Sequence, residues 1–221
     1  MSPADTPPPS ADSANVRRQP RQKRAIESRQ RILDGARRLL GADGVKGFTM
    51  RAVARESGVG LGTLYEYFPS RESIMAWLLE ERIAGRLAIL DRHLAHLSPD
   101  EDIAQAIAAY DADMARERMW SRMDVVLFGT EHREGPLEAL RRDFHRQLEA
   151  RYLALCRSRG SKWSQAGLEA LARYMVEIDI LNIQLQLDAE PNQRAIYRDM
   201  TYATFIRFFE RTLQPEPGGA R

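Results

Sequence analysis

TMRAVARESGVGLGTLYEYF, residues 49–68, divides into two short helices around a break. Thr49 is the residue type whose hydroxyl caps a helix start, which sets a first helix running to about Glu56. Ser57-Gly58 ends it, and Gly58 sits where the turn asks for a residue without a Cβ. A second helix follows over about Leu61–Tyr67. Val53 and Ala54 supply small apolar contacts on the first helix, while Val59 and Leu64 are spaced to pin the second onto it. Ala54 is small enough for the two to cross closely at a steep angle. Two helices so arranged form a helix-turn-helix, which holds its second helix proud of the body, free to enter a major groove ~12 Å wide.

Outward from that stretch the pattern stays helical. Upstream, Ile32, Ala36, Leu39 and Leu40 make one apolar face of a helix over about 22–42. It stops in Gly41-Ala42-Asp43-Gly44, where Gly44 suits a left-handed cap. Downstream, Pro69-Ser70-Arg71-Glu72 starts a long helix reaching about Leu97, with Ser70 as cap and Ser70-x-x-Ser73 falling short of a full capping box. Its stripe runs Ile74, Leu78, Ile83, Leu87, Leu90, Leu94. Further helical patterns cover roughly 101–117, 119–132, 136–159, 165–188 and 192–213, with Ser98-Pro99, Gly135-Pro136, Arg159-Gly160-Ser161 and Glu190-Pro191-Asn192 as boundaries. Nothing beyond residue 20 reads as strand. The expected fold is all-α, with about nine helices.

Charge is distributed unevenly. Arg17–Glu72 holds thirteen Lys/Arg against six Asp/Glu, a net of +7. Asp5 and Asp12 precede it, so with an overall +2 the remainder, 73–221, carries −3. A basic front end on a mildly acidic body points toward a polyanion. The tract Arg17-Arg18-Gln19-Pro20-Arg21-Gln22-Lys23-Arg24 is either a solvated tail or an arm that touches phosphates or a minor groove. Five of the eleven prolines fall in residues 1–20, which are expected to be disordered.

The residues Arg31-Ile32-Leu33-Asp34-Gly35-Ala36, then Gly44, Phe48-Thr49-Met50, Val53-Ala54, Gly58-Val59, Gly62-Thr63-Leu64-Tyr65, Tyr67-Phe68 and Ser70-Arg71-Glu72 resemble the DNA-binding domain of the TetR family of repressors. The likeness covers about 29–77; the rest shows only the helical layout such proteins have. It implies a transcriptional regulator that is not an enzyme, most often a repressor, with double-stranded operator DNA and a second copy of itself as partners and a small-molecule effector of unread identity. An adaptor, or an activator without inducer, is the alternative.

Thr49, at a helix N-terminus, can hold a phosphate through its hydroxyl and the free N–H groups there. Tyr65 and Tyr67 resemble the family's phosphate-contacting aromatics, and Arg71 stands where the family more often has lysine. Gly60, Leu61, Gly62, Thr63 and Glu66 face outward on the second helix. Thr63 can reach a base or a thymine methyl, Leu61 can pack on such a methyl, and Glu66 either accepts from a cytosine amino group or repels the backbone. Arg51 and Arg55 are either phosphate contacts or solvated.

In the body, 165–188 carries two apolar lines: Leu168, Leu171, Met175, Ile178, Asn182, Leu185, and Val176, Ile180, Ile183, Leu187. The last helix repeats this with Tyr202, Phe205, Phe209, Leu213 beside Ile196, Met200, Ala203. A helix apolar on two sides must bury both, one on its own subunit and one on a partner. Leu168, Leu171, Ile178, Asn182, Leu185, Tyr202, Phe205 and Phe209 are the candidate dimer contacts. The resemblance implies an effector cavity among the middle helices, with Met114, Trp120, Met123, Phe128, Tyr174, Met175 and Asp179 as candidate lining. Asp179 stands out, because a carboxylate in an apolar stretch needs a partner: an arginine, the dimer mate or a cationic inducer.

These readings divide the chain into a disordered, basic-ended arm (1–20), a helix-turn-helix domain (21–72, with the linking helix 70–97 starting inside it), an effector-binding and dimerisation domain (73–213) and a frayed tail (214–221). No apolar run approaches the ~20 residues that cross a bilayer, and a single cysteine, Cys156, fits a reducing compartment, so the expected location is the cytoplasm with no membrane partner. His93, His96, His132 and His145 show no metal-ligand spacing, no phosphate-cradling glycine loop or nucleophile elbow appears, and no cofactor or catalytic residue is expected.

Overall fold

Nine α-helices and no strand make up the described residues of the computed structural model, which are 12–98, 100–119, 121–129 and 135–218, with the side chains of 12–22, 125, 183, 186–188 and 191 left aside. α1 (Asp12–Gly47), α2 (Met50–Ser57) and α3 (Leu61–Tyr67) form an N-terminal layer. α4 (Arg71–His96) leaves it and runs into a body made of α5 (Ile103–Arg116), α6 (Arg122–Phe128), α7 (Pro136–Ser158), α8 (Gln165–Asp188) and α9 (Pro191–Arg211).

Four details differ from the sequence reading. α1 begins at Asp12, inside the segment read as disordered. Four of the first five prolines precede Asp12, and the Arg and Gln that follow are good helix formers. At its far end Gly44 has φ 63 and ψ −153, so it kinks the helix on the way to Gly47 instead of capping it. Ser70 and Ser73 do form a reciprocal capping box: the Ser73 N–H donates to Ser70 Oγ (3.2 Å) and the Ser70 N–H to Ser73 Oγ (3.3 Å), the short hydroxyl doing what a Glu would. The tail read as frayed is tied back, Trp163 Nε1 donating to the Gln214 carbonyl (2.8 Å) and Ser164 donating through its N–H and its hydroxyl to the Glu216 carboxylate (2.7 and 2.8 Å). Those hydrogen bonds hold the Glu216 carboxyl below the usual range.

One apolar core runs through both halves. Ile32, Ala36 and Leu40 of α1, Phe48, Val53, Leu64, Ile74 and Leu78 are fully buried, and the same cluster continues through Leu87, Phe144, Leu148, Met175 and Phe205. Each such aliphatic side chain contributes about 1.5–3 kcal/mol by leaving water, so layer and body are not separated by solvent. Cys156 lies in this core, where burial pushes its thiol pKa up.

α6 is wedged between the halves, against α1, α4 and α8. Its Asp124 is wholly buried and receives Arg82 on both oxygens (Nε–Oδ1 2.6 Å, Nη2–Oδ2 2.8 Å) and the Ser121 hydroxyl (2.5 Å). Arg86, also buried, stands 3.9 Å from the same carboxylate, donates to the Met119 carbonyl (2.8 Å) and lies over the Phe128 ring. From α7, Arg141 donates to the Leu127 carbonyl (3.1 Å). A short, seven-residue helix is thereby fixed by charge as well as by apolar contact.

Candidate nucleic-acid interface

The turn between α2 and α3 is built from local bonds. Thr49 has extended backbone and its Oγ accepts from the Ala52 N–H (3.1 Å), leaving the hydroxyl proton free to be donated outward. The N–H groups of Met50 and Arg51 open the helix with no carbonyl behind them. Gly58 takes φ 66, ψ 26, the left-handed conformation the break requires, and the N–H of Val59 reaches the Ala54 carbonyl (3.2 Å). The Ser57 hydroxyl is buried and donates within α2 to the Val53 carbonyl (2.7 Å). Behind it, α1 comes close enough that a Cβ on Gly35 would lie 3.1 Å from the Ser57 backbone nitrogen.

α3 hangs on this turn by a single anchor. Leu64 is the one buried residue among its seven, and Phe68 just beyond is buried as well. Gly60, Leu61, Gly62, Thr63, Tyr65 and Glu66 are exposed, Tyr67 half-buried. The side-chain-free backbone of Gly62 has a use only outside the fold: a Cβ there would meet nothing within 4 Å, and its φ is not positive. Glycine in a helix costs about 1 kcal/mol against alanine, so the bare backbone suits close approach by another surface.

Arg51 and Arg55 are exposed on α2. Arg71 donates to Glu72 (2.8 Å) and holds its carboxyl below the ordinary range. Both partners are 42% exposed, so the pair is worth at most about 1 kcal/mol and is weak enough for another anion to displace Glu72. Within the layer Arg38 pairs with Glu56 (2.6 Å), and the layer is braced to α4 by Arg37 on Glu81 and by Trp77, which meets Phe68 edge-on (6.4 Å) and carries Arg29 over its ring (4.9 Å).

The other end of α4 walls a cavity of about 90 Å³ among α4, α5, α7, α8 and α9. Of the candidate effector residues, Asp179 lines it. Met114, Met123, Phe128 and Met175 are buried in the core instead, and Tyr174 is 54% exposed, edge-on to Phe208; Trp120 lies outside the described residues. Sequence reasoning missed His93, Tyr110, Asp111, Tyr152 and Tyr202. The one hint was Tyr110-Asp111, an aromatic–acid pair in the otherwise alanine-rich α5. Burial pushes the Asp179 carboxyl up to about 6 against a partial opposing pull from Arg86, and burial raises Tyr110, Tyr152 and Tyr202 as well.

The candidate dimer residues also divide. Leu168, Asn182, Phe205 and Phe209 are buried within the chain, Leu171, Ile178 and Tyr202 are half-buried, and Leu185 is exposed. The line from Leu168 to Leu185 repeats every 3.5 residues on a helix of 3.6, so it drifts ~20° per heptad and leaves the core before its end. The apolar face left open is formed by Leu181 and Leu185 of α8 with Ile196 and Met200 of α9. Ile183 and Leu187 fall among the side chains left aside. No helix of the described residues is long and apolar enough to cross a membrane.

Residues 32–77 match the model of the bacterial regulatory proteins of the tetR family. Over 58 residues the chain is 38% identical to an HTH-type transcriptional regulator of Staphylococcus aureus (strain bovine RF122 / ET3-1), covering 26% of this chain and 31% of that one. A regulator of the same description from S. aureus strain USA300 is 36% identical over an equal length. The chain thus matches about a third of the length of these relatives. Among solved structures, a putative TetR-family transcriptional regulator from Syntrophomonas wolfei superposes with TM-score 0.63 at 18% identity, over 88% of this chain and 99% of that one. The multidrug binding protein EbrR complexed with imidazole gives 0.59 at 23%, over 86% and 97%. RolR in complex with resorcinol gives 0.53 at 21%, over 90% and 100%. At these identities the likeness is one of fold.

Proposed function

We propose that this chain, whose residues 32–77 match the bacterial regulatory proteins of the tetR family, is a transcriptional repressor that sits as a homodimer on a near-palindromic operator and leaves it when a small molecule fills the α4–α9 cavity. The observation that carries the DNA reading is α3: one buried anchor, Leu64, and an outer face of Leu61, Gly62, Thr63, Tyr65 and Glu66 open to a groove. Thr49, Arg51, Tyr65, Tyr67 and Arg71 surround that face and suit phosphates, which fix register; Gly60–Thr63 and Glu66 suit base edges. One short helix reads too few bases for specificity. A two-fold dimer repeats it ~34–36 Å away, one turn of the duplex.

The open apolar face of α8 and α9 supports the dimer, since two copies laid face to face would cover Leu181, Leu185, Ile196 and Met200 at once. The cavity supports the effector. EbrR and RolR are solved with imidazole and resorcinol, and the same fold here encloses a cavity walled by the helix that also carries the reading layer. An effector that prefers one tilt of α4 shifts the population toward it and changes operator affinity by that differential preference.

Fluorescence anisotropy on duplexes drawn from the DNA flanking the gene tests the reading. Binding is expected to weaken steeply with salt, and Tyr65→Ala to weaken it across sequences alike, as loss of a phosphate contact does. A protein that stays monomeric and ignores every flanking duplex at low ionic strength overturns it.

A further inference from the structure

We propose that the cavity binds a small organic cation bearing one aromatic ring, its charge between Asp111 and Asp179 and its ring among Tyr110, Tyr152 and Phe205. This rests on the reading of the cavity as the effector site and adds the chemical class.

Two carboxylates line walls that are otherwise mainly apolar and aromatic. Among the described residues, no ion pair within 4 Å and no hydrogen bond reaches Asp179. The buried Tyr202 hydroxyl stands by Asp111 without closing a hydrogen bond. The cations that could serve these carboxylates are engaged elsewhere: Arg86 with Asp124 and the Met119 carbonyl, Arg82 with Asp124, and His93 with Asp113 (3.2 Å). Asp179 is half-buried at the cavity wall with Arg86 acting on it only from a distance, and a carboxylate so far withdrawn from water without a close partner is costly unless something else brings the opposite charge. An anion would meet two like charges here, and a neutral molecule would leave both acids as they are. A cation pairs them, and tyrosine and phenylalanine faces attract it further. Burial alone has already raised the Asp179 carboxyl to about 6, and a bound cation draws it back down. The volume, about 90 Å³, is below the ~150 Å³ of an engineered cavity that takes benzene, so a single ring with a short ammonium arm enters only as the surrounding helices move apart, and nothing larger is expected.

The test is calorimetric titration of the full chain at pH 7 with benzylammonium, its neutral analogue benzyl alcohol and the anion benzoate, run beside operator anisotropy. Benzylammonium is expected to bind at least tenfold more tightly than benzyl alcohol, with benzoate giving no heat. Asp179→Asn and, as a second variant, Asp111→Asn should each remove most of that preference while leaving benzyl alcohol unchanged. Equal binding of the alcohol, binding of benzoate, no binding of benzylammonium, or a preference that survives both variants overturns the proposal. The two readings fail separately. If benzyl alcohol binds as well as the cation and releases the operator, the effector site stands and the charge preference falls. If benzylammonium binds through Asp179 and the operator is indifferent, the site stands and its effector role falls.

Discussion

At its Arg71 end α4 joins a layer in which the hydroxyls of Thr49, Ser57, Ser70 and Ser73 each close a hydrogen bond to nearby backbone. Toward His96 the same helix walls a cavity where Asp179 and the Tyr202 hydroxyl close none among the described residues. Among the described residues, the first end carries no unmet polar side chain inside the fold; its polar groups are either satisfied locally or turned to solvent. The second holds its demands at the cavity wall, the Tyr202 hydroxyl buried and Asp179 half-buried, where water meets them less cheaply. If the chain acts as proposed, the surface that presents one shape to a duplex is self-sufficient, and the site that responds to an arriving molecule is left short of a partner.

That contrast can be broken at the wedge between the ends. Asp124→Ala strands two arginines in the interior and should cost about 3–5 kcal/mol in urea denaturation; a loss below about 1 kcal/mol would mean that Arg82 and Arg86 find other partners and that α6 is held by apolar contact alone. Leu64→Ala removes the single anchor of α3 and should cost about 3 kcal/mol, with duplex binding lost and benzylammonium binding by calorimetry retained. If both are lost together, the two ends are one cooperative unit and the distinction is only local.

The third effect has the opposite sign. Asp179 has a folded pKa of about 6, above its ordinary 3.8, because burial penalises its ionised form. The folded state therefore holds its proton longer than the unfolded one, and ionisation subtracts stability as pH rises from about 4 through 6, leaving a full penalty above. Asp179→Asn should be more stable than the parent by on the order of 2 kcal/mol at pH 7, with the advantage vanishing near pH 4 in thermal melts. A constant difference at both pH values would mean that Asp179 is not desolvated. The smallest effect belongs to the close approach of α1 and α2. Gly35→Ala gains helix propensity but presses on the Ser57 backbone, 3.1 Å away, for a net loss of about 1 kcal/mol in the same melts.

The reading end was legible in the sequence because its determinants are local. Thr49 and Gly58 act on residues within five positions, Leu64 pins α3 onto the helix just before it, and α3 falls on Leu61–Tyr67 as its pattern indicates. The cavity was not, because its walls come from five helices and its aromatics meet only after α5 and α9 have packed together. Met114 and Met175 look the same in sequence whether they line a hollow or fill one. The partner-facing side of α8 was half legible: two apolar lines were visible, but the slow drift of one across the core boundary depends on where the neighbouring helices end. The short range of Ser73 hid its capping role, since the usual sign is a longer side chain.

α4 has 26 residues without a break, about 39 Å of rigid rod at 1.5 Å per residue. Arg82 and Arg86 clamp it near its middle, so any push on the Leu90–His96 stretch has a fulcrum. From Arg82 to Arg71 the arm is about 16 Å, and a tilt of about 10° swings its tip by about 3 Å. In the proposed two-fold pair the opposed swings would add to about 6 Å, a sizeable fraction of the ~34 Å between successive turns of the groove. Mechanical advantage of this kind would let a molecule seated in the cavity change the reach of the proposed dimer without melting a helix.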